Sequence, residues 1–386
     1  MRVTVVGIGL AGLTAAVRLA EGGARVLVLA KGIGATHLGP CTIDVLGVER
    51  PGEAIASLPD GHPLALVGRD GVAAAIEWFK AAMAERYPYV GGLDENLLLP
   101  TAIGARKPSA VVPETMAGGA GEGPVCVVGF RALKDFHAPL LAENLGDARS
   151  LVLDLTPEGR VDANSLACAR AFDEPEFRAA VAAQLTGRLG EDERVAFPAV
   201  LGIADGHAVW SELQERLGRP VFEVPTLPPS VAGMRVFAIL RERLRRAGAR
   251  VILNAVMDDG QVRVGLREQT FPADRVVLAT GGFASGGLEL DSSWRARETA
   301  LGLPVSGVGE ERFREDYFGE QPMARAGVAV DERLRPQGRD DVLVVGATLA
   351  GAEPWREKSG DGISLATGHR AAELILAETR EEAVAS

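Results

Sequence analysis

Three glycines near the start of the chain have the spacing of a phosphate-binding turn. Gly7, Gly9 and Gly12 follow a short apolar, β-branched run at residues 2–6 and precede a stretch of helix-forming residues. In this pattern the first glycine permits a tight turn, the second lets the backbone approach a pyrophosphate, and the third lets the helix pack closely on the sheet. The pattern therefore predicts a dinucleotide site, with a glycine-rich turn that binds nothing as the alternative.

The residues around this turn refine the prediction. Leu10 and Ala11 join the candidate site because their N–H groups lie at a helix N-terminus, which favours anions. The second strand, at residues 24–30, is followed by Lys31, where NAD-binding proteins carry an acid for a ribose hydroxyl. Lys31 is included as a candidate contact. Residues 127–131 have bulky side chains after their glycine and do not form a second nucleotide motif, so a nicotinamide cofactor is disfavoured.

A second run points to the kind of cofactor. A predicted buried strand at residues 276–278 continues into Ala279, Thr280, Gly281 and Gly282, and such small residues let the chain pass beside a flat ring. The run resembles the Ala-Thr-Gly signature of flavoproteins built on the two-dinucleotide-binding-domain fold. Alone it could be an ordinary strand end. Together with the glycine turn it indicates a flavin.

The predicted C-terminal helix follows a strand that ends at Gly346. In flavoproteins of this fold the matching helix directs its N-terminus at the pyrimidine edge of the flavin, where its dipole stabilises negative charge. The resemblance therefore implies that Gly362, Ile363 and Ser364 lie beside the ring. A surface helix capped by Asp361 or Ser364 is the alternative.

These motifs require a sheet that draws on both ends of the chain. The first 30 residues read as a strand–turn–helix–strand unit, and the same pattern returns near residue 235. We predict an α/β fold with a Rossmann-like flavin-binding domain of residues 1–50 and 225–386. An inserted α+β middle domain, residues 51–224, would cap the substrate or face a partner.

Composition narrows the possible functions. The chain has 386 residues, is 47% hydrophobic and carries a formal net charge of -11, which argues against nucleic-acid binding. Cys41, Cys126 and Cys168 are too few and too dispersed for a four-cysteine cluster, and no metal site is predicted. The sequence contains no continuous apolar run of about 18 residues, so no membrane span is predicted. We expect a cytoplasmic protein.

Longer stretches carry a more specific resemblance. The similar segments lie at residues 224–235, 278–288, 316–322 and 327–336, and the first reads Val-Pro-Thr-Leu-Pro-Pro-Ser-Val-Ala-Gly-Met-Arg. They resemble the B-subunit of the anaerobic glycerol-3-phosphate dehydrogenase, and the similarity extends over nearly the whole chain.

The resemblance implies a flavoprotein subunit, described for the family as using FMN. It would work with a second flavoprotein subunit and with an iron–sulfur subunit that docks at the inner face of the cell membrane. The complex oxidises sn-glycerol 3-phosphate to dihydroxyacetone phosphate and passes electrons towards quinone.

Cofactor and role remain open at this point. The glycine turn favours FAD, because FMN would leave its adenylate-side contacts unused, whereas the family description favours FMN. A non-catalytic electron-relay or scaffold subunit and a stand-alone FAD-dependent oxidoreductase are the alternative roles.

Two loops contain candidate residues for the chemistry. Thr36 and His37 come shortly after the second strand, in a loop comparable to the one that carries a flavin-linking histidine in the succinate dehydrogenase group. His37 is either such an anchor or a non-covalent neighbour of the flavin. Ser230 either caps a helix or borders the substrate pocket. Arg235, one turn into that helix, faces a phosphate or the flavin, or forms a salt bridge.

A dehydrogenase also needs a base near the substrate hydroxyl. His37, His207 and His369 are the histidines in glycine-rich or helix-start contexts. The sequence does not choose among them.

Overall fold

The computed structural model describes residues 1–307 and 311–385. Within these ranges the strands are β1 (Arg2–Val6), β2 (Arg25–Ala30), β3 (Tyr89–Gly91), β4 (Leu97–Pro100), β5 (Arg106–Ser109), β6 (Val111–Pro113), β7 (Val125–Phe130), β8 (Ala148–Leu153), β9 (Arg194–Pro198), β10 (Val221–Val224), β11 (Arg250–Leu253), β12 (Ala255–Asp258), β13 (Gln261–Val264), β14 (Arg267–Gln269), β15 (Arg275–Leu278), β16 (Leu288–Leu290), β17 (Ala296–Glu298), β18 (Val305–Ser306), β19 (Gly327–Val328) and β20 (Val342–Val344). The α-helices in the same ranges are α1 (Leu10–Glu21), α2 (Pro51–Ala54), α3 (Pro63–Met83), α4 (Glu114–Ala117), α5 (Ala138–Leu145), α6 (Ser165–Asp173), α7 (Pro175–Leu185), α8 (Gly206–Leu217), α9 (Val231–Arg246), α10 (Pro354–Glu357) and α11 (Gly360–Ala385).

The larger sheet is fully parallel, with strand order β11-β2-β1-β15-β20. Its strands are short apolar runs because both faces are covered, as parallel sheets require. Val5, for example, pairs with Val28 on one side and Val277 on the other, and all three are fully buried. Helix α1 packs against α11 and α9. The predicted α/β, Rossmann-like architecture is confirmed.

The position of β1 determines where a ligand can bind. The chain runs from β1 to β2 on one side of the sheet, while β15 and β20 extend it on the other side. Strand order therefore reverses at β1, and in open α/β sheets the crevice at such a point, outside the carboxyl ends of the strands, is the usual ligand site. Both ends of the chain contribute to it.

A second sheet lies in the middle of the chain. Its order is β10-β9-β7-β8, every pairing in it is parallel, and α5 to α8 lie in the connections between its strands. This differs from the expected α+β arrangement, because the central strand β7 is a continuous buried apolar run and the connections are long enough for crossover helices. Antiparallel pairs do occur in the middle segment, as β3 with β6 and β4 with β5.

The two sheets have separate hydrophobic cores. Buried residues from Val125 to Val231 pack around the second sheet. Residues between Ile55 and Met116, including those of α3, pack instead in the core of the five-stranded sheet. The division at residues 51 and 224 stays a prediction; the packing favours a start of the inserted unit near residue 124. None of the helices within the described ranges is both long and apolar enough to cross a membrane.

Candidate functional site

A cleft of about 650 Å³ opens at the carboxyl ends of β1, β2 and β15. The residues of its lining that the sequence predicted are Gly7, Gly9, Leu10, Ala11, Lys31, Thr36, Ala279, Thr280, Gly281, Gly346 and Ser364. The cleft therefore brings together motifs that are more than 300 positions apart in the chain. Gly12, His37, Gly282, Gly362 and Ile363 lie outside its lining.

The three glycines of the turn differ in what surrounds them. Gly7 has φ +113°, and a Cβ there would lie 2.1 Å from the Ala279 carbonyl oxygen. A Cβ on Gly12 would lie 2.2 Å from the Gly7 carbonyl oxygen, so Gly12 permits close packing of α1 without lining the cleft. A Cβ on Gly9 would have no atom within 4 Å, because this glycine faces the open cleft.

The N-terminus of α1 is available to an anion. Gly9 is its N-cap, no side chain caps it, and its first turn contains no acidic residue. The N–H groups at such an end carry partial positive charge and lack partners within the helix. Together with the open space at Gly9, this arrangement fits a pyrophosphate.

The Ala-Thr-Gly run is held against the turn that follows β20. The Thr348 hydroxyl accepts a hydrogen bond from the Gly281 N–H at 3.0 Å and lies 3.2 Å from the Gly281 carbonyl oxygen. A Cβ on Gly282 would lie 3.1 Å from the Ala347 carbonyl oxygen. This run therefore forms a wall of the cleft through its backbone, as its small side chains suggest.

The start of α11 forms another part of the cleft wall. The Gly346 N–H donates to the Thr367 hydroxyl at 2.9 Å, which ties the end of the sheet to the second turn of α11. The Gly362 N–H donates to the Asp44 carbonyl oxygen at 2.9 Å. Asp361 and Ser364 line the cleft, so the first turns of α11 border it on this side.

Several cleft residues have no signature in the sequence. Asp258 on β12, Glu289 on β16 and Arg297 on β17 line the cleft. Strand β12 packs against β2, so Asp258 lies on the side where the acid expected after β2 is missing. The missing acid after β2 was the one sign in the sequence that another acid takes its place. The sequence around β12 has no pattern that identifies Asp258 as that acid.

The cleft extends to both sides of the glycine turn. On the β2 side it is lined by residues 29–32 and by β12, and on the β20 side by Gly346, Asp361 and Ser364. A ligand with two parts joined by a pyrophosphate matches this shape, and the open N-terminus of α1 lies between them. The residues present therefore fit FAD, and they fit it better than the shorter FMN.

His37 is not part of the cleft lining, although its neighbours Thr36 and Leu38 are. Its ring packs on the ring of Phe237 with 4.5 Å between centroids, and burial lowers its pKa. Its Nδ1 atom is buried and has no hydrogen-bond partner within the described parts of the chain. The backbone of this loop is fixed by a bond from the Ser230 N–H to the His37 carbonyl oxygen, at 2.7 Å.

We expect the flavin to be bound without a covalent link to His37, because this ring packs on Phe237 and is not part of the cleft lining. Acid precipitation of the yellow protein would then release all of its colour into the supernatant. His37→Phe, which preserves an aromatic ring against Phe237, would retain the same flavin content. Colour that stays in the wild-type precipitate and leaves the His37→Phe precipitate would contradict this expectation.

Ser230 and Arg235 are held by other contacts. The Ser230 hydroxyl accepts a bond from the Gly233 N–H at 3.1 Å and is the N-cap of α9. Arg235 is buried and pairs with Glu223, which is also buried, at 2.7 Å. Burial lowers the pKa of Arg235, but Glu223 and Tyr87 together raise this pKa by more than burial lowers it. The guanidinium therefore stays charged. The structure thus places both side chains in structural contacts outside the cleft lining.

The other candidate bases also lie elsewhere. The His207 Nε2 atom lies 2.9 Å from the Glu114 carboxylate, and its ring lies against Trp210. His369 is buried beside Trp78, and burial lowers its pKa. Within the described residues no group of three or more His, Cys, Asp or Glu side chains could hold a metal ion.

Comparison with known proteins yields a family match and curated relatives. The FAD binding domain family matches residues 2–363. The chain is 33% identical to the probable anaerobic glycerol-3-phosphate dehydrogenase B-subunit of Halobacterium salinarum, over 96% of both chains. It is 30% identical to the anaerobic glycerol-3-phosphate dehydrogenase B-subunit of Pectobacterium carotovorum, over 97% of this chain and 98% of that one.

A solved structure resembles the fold more loosely. The 3-ketosteroid Δ1-dehydrogenase of Sterolibacterium denitrificans superposes with a TM-score of 0.45 and 13% identity, over 97% of this chain and 99% of the other.

Proposed function

Since the chain belongs to the family of the anaerobic glycerol-3-phosphate dehydrogenase B-subunit and carries its FAD binding domain, we propose that it is the flavin-dependent subunit of a glycerol-3-phosphate dehydrogenase. The reaction would convert sn-glycerol 3-phosphate to dihydroxyacetone phosphate, and the electrons would leave towards quinone. A second flavoprotein subunit and an iron–sulfur subunit that docks at the inner face of the membrane would complete the assembly.

The observation that carries this proposal is the similarity over almost the full length of both chains to relatives named as this subunit. The cleft adds a physical argument. Gly7, Gly9 and the N-terminus of α1 would hold the pyrophosphate, and the start of α11 would face the ring. Bound flavin supplies the acceptor for a hydride from the alcohol carbon of the substrate.

A specific observation favours the second candidate, an electron-relay subunit without substrate chemistry. Within the described residues no histidine lines the cleft. His37, Ser230 and Arg235, the candidates for catalysis, all make structural contacts instead. A relay subunit would need the flavin but no base beside a substrate hydroxyl.

Anaerobic visible spectroscopy separates the two candidates. The chain would be purified alone and together with its co-expressed partner subunits, and each sample would be mixed with sn-glycerol 3-phosphate, with sn-glycerol 1-phosphate as the control. Bleaching of this chain's flavin when it is alone supports the dehydrogenase, and bleaching only in the complex supports the relay. No bleaching in either sample would overturn both proposals. Rapid reoxidation of the isolated chain by oxygen would favour a stand-alone oxidoreductase.

A further inference from the structure

Asp361 is a charged side chain of the cleft that the proposed reaction does not use. It lies in the first turn of α11 and lines the cleft together with Ser364, about one turn further along. The residue is partly exposed. Within the described parts of the chain no hydroxyl or N–H group donates a hydrogen bond to its carboxyl group. Its partners are therefore limited to a ligand, to solvent and to the charges around it.

A second aspartate lies behind the first. The bond from the Gly362 N–H to the Asp44 carbonyl oxygen holds Asp44 against the first turn of α11. Its carboxylate accepts hydrogen bonds from Ser109, at 2.6 Å, and from Thr42, at 3.1 Å, and it pairs with Lys107. Two carboxyl groups thus share this region, but only Asp44 has donors of its own.

The charged groups that act on Asp361 are Asp44 and Lys107. Asp361 in turn contributes to the raised pKa of the buried Cys41 and Tyr89 side chains. Burial and the like charge of Asp44 raise the pKa of Asp361 to about 7, against the opposing effect of Lys107. The positive end of α11 also opposes this rise. Asp361 can therefore gain or lose a proton near neutral pH.

We propose that Asp361 takes up a proton from solvent when the bound flavin is reduced. Two electrons and one proton enter the ring, which gains one negative charge, and a second proton converts the Asp361 carboxylate to the neutral acid. The added negative charge in the same cleft favours the neutral carboxyl group, since like charges repel in a partly buried site. The proposal rests on flavin binding and not on the identity of the substrate.

Potentiometric titration of the flavin-loaded protein, with dithionite as reductant and redox mediators, tests this without any substrate. The midpoint potential would be followed by flavin absorbance between pH 5.5 and 8.5, a range we choose as roughly centred on the pKa of Asp361. Uptake of one additional proton changes the reduction equilibrium tenfold per pH unit, which is about 30 mV per pH unit for a two-electron couple. We expect the wild-type slope to be steeper than that of Asp361→Asn by this amount above about pH 7.

Two further variants make the result specific. Asp135→Asn removes an exposed aspartate after β7, outside the cleft lining, and should leave the wild-type slope unchanged. Asp44→Asn removes the neighbouring charge, so the pH at which the slope becomes steeper should move down. Equal slopes for wild type and Asp361→Asn would overturn the proposal. If Asp361→Asn does not retain flavin, Asp44→Asn provides the test instead. A slope that becomes steeper at the same pH in Asp44→Asn as in the wild type would then overturn the proposal.

Discussion

Gly9→Val is expected to abolish flavin binding while the chain stays folded. Gly9 has φ -68°, a conformation that valine adopts, and its Cβ position has no neighbour within 4 Å. The new side chain would extend into the space in which the pyrophosphate must approach the backbone. We expect affinity to fall by at least about a hundredfold, which corresponds to about 2.7 kcal/mol. Flavin absorbance per protein after gel filtration, and fluorescence titration of the apoprotein, measure the loss.

Two other glycines serve as controls for this prediction. Gly92 also has open space at its Cβ position but lies outside the cleft, so Gly92→Val should retain its flavin. Gly12→Val would place a Cβ 2.2 Å from the Gly7 carbonyl oxygen and should lower stability as well as flavin content. A Gly9→Val protein with full flavin content would show that the phosphate binds elsewhere.

Glu223→Gln is expected to lower the free energy of unfolding by about 3–5 kcal/mol, because it leaves the charge of Arg235 buried without its counter-charge. The side chain of Arg235 is 3% exposed and that of Glu223 is 0% exposed. Glu223 also accepts bonds from the Thr115 hydroxyl at 2.8 Å and from the Leu201 N–H at 2.9 Å. The pair therefore joins α9, β10 and the segment after β6. Urea denaturation followed by circular dichroism measures the change.

A surface pair provides the comparison for this second prediction. Glu242 pairs with Arg245 and Arg246 on the exposed side of α9, so Glu242→Gln should cost no more than about 1 kcal/mol. Replacing both members of the buried pair, as in Glu223→Leu with Arg235→Met, should recover only part of the loss. No buried charge remains, but the Thr115 hydroxyl and the Leu201 N–H lose their acceptor. A Glu223→Gln protein as stable as the wild type would contradict the assignment of a stabilising role to this pair.

The cofactor turn could be predicted from the sequence because its chemistry depends on backbone geometry. Gly7 needs a positive φ and Gly12 needs a close helix contact, and glycine alone satisfies both at this spacing. The Ala279-Thr280-Gly281 run is recognisable for the same reason, since small residues mark where backbone passes close to a ligand. These constraints lie within a few residues of each other, where a sequence pattern can record them.

The residues that could not be assigned depend on distant partners. Whether Arg235 on α9 binds a phosphate or forms a buried ion pair depends on two partners. Glu223 lies on β10, and Tyr87 lies 148 positions away in the chain. His37 required knowledge of the Phe237 ring. The parallel pairing of β7 with β8 and β9 depends on which strands meet, and apolar periodicity does not contain that information.

The five-stranded sheet has a consequence for how the protein is made. Strand β1 ends at Val6, but its neighbour β15 begins at Arg275, while the strands of the second sheet lie within residues 125–224. At about 5–20 residues per second, roughly 13 to 54 s of synthesis separate β1 from that neighbour. The second sheet can therefore fold on the ribosome while one edge of β1 is still unpaired. The cleft is completed last, because Gly346, Asp361 and Ser364 contribute to its lining and follow β15 in the chain.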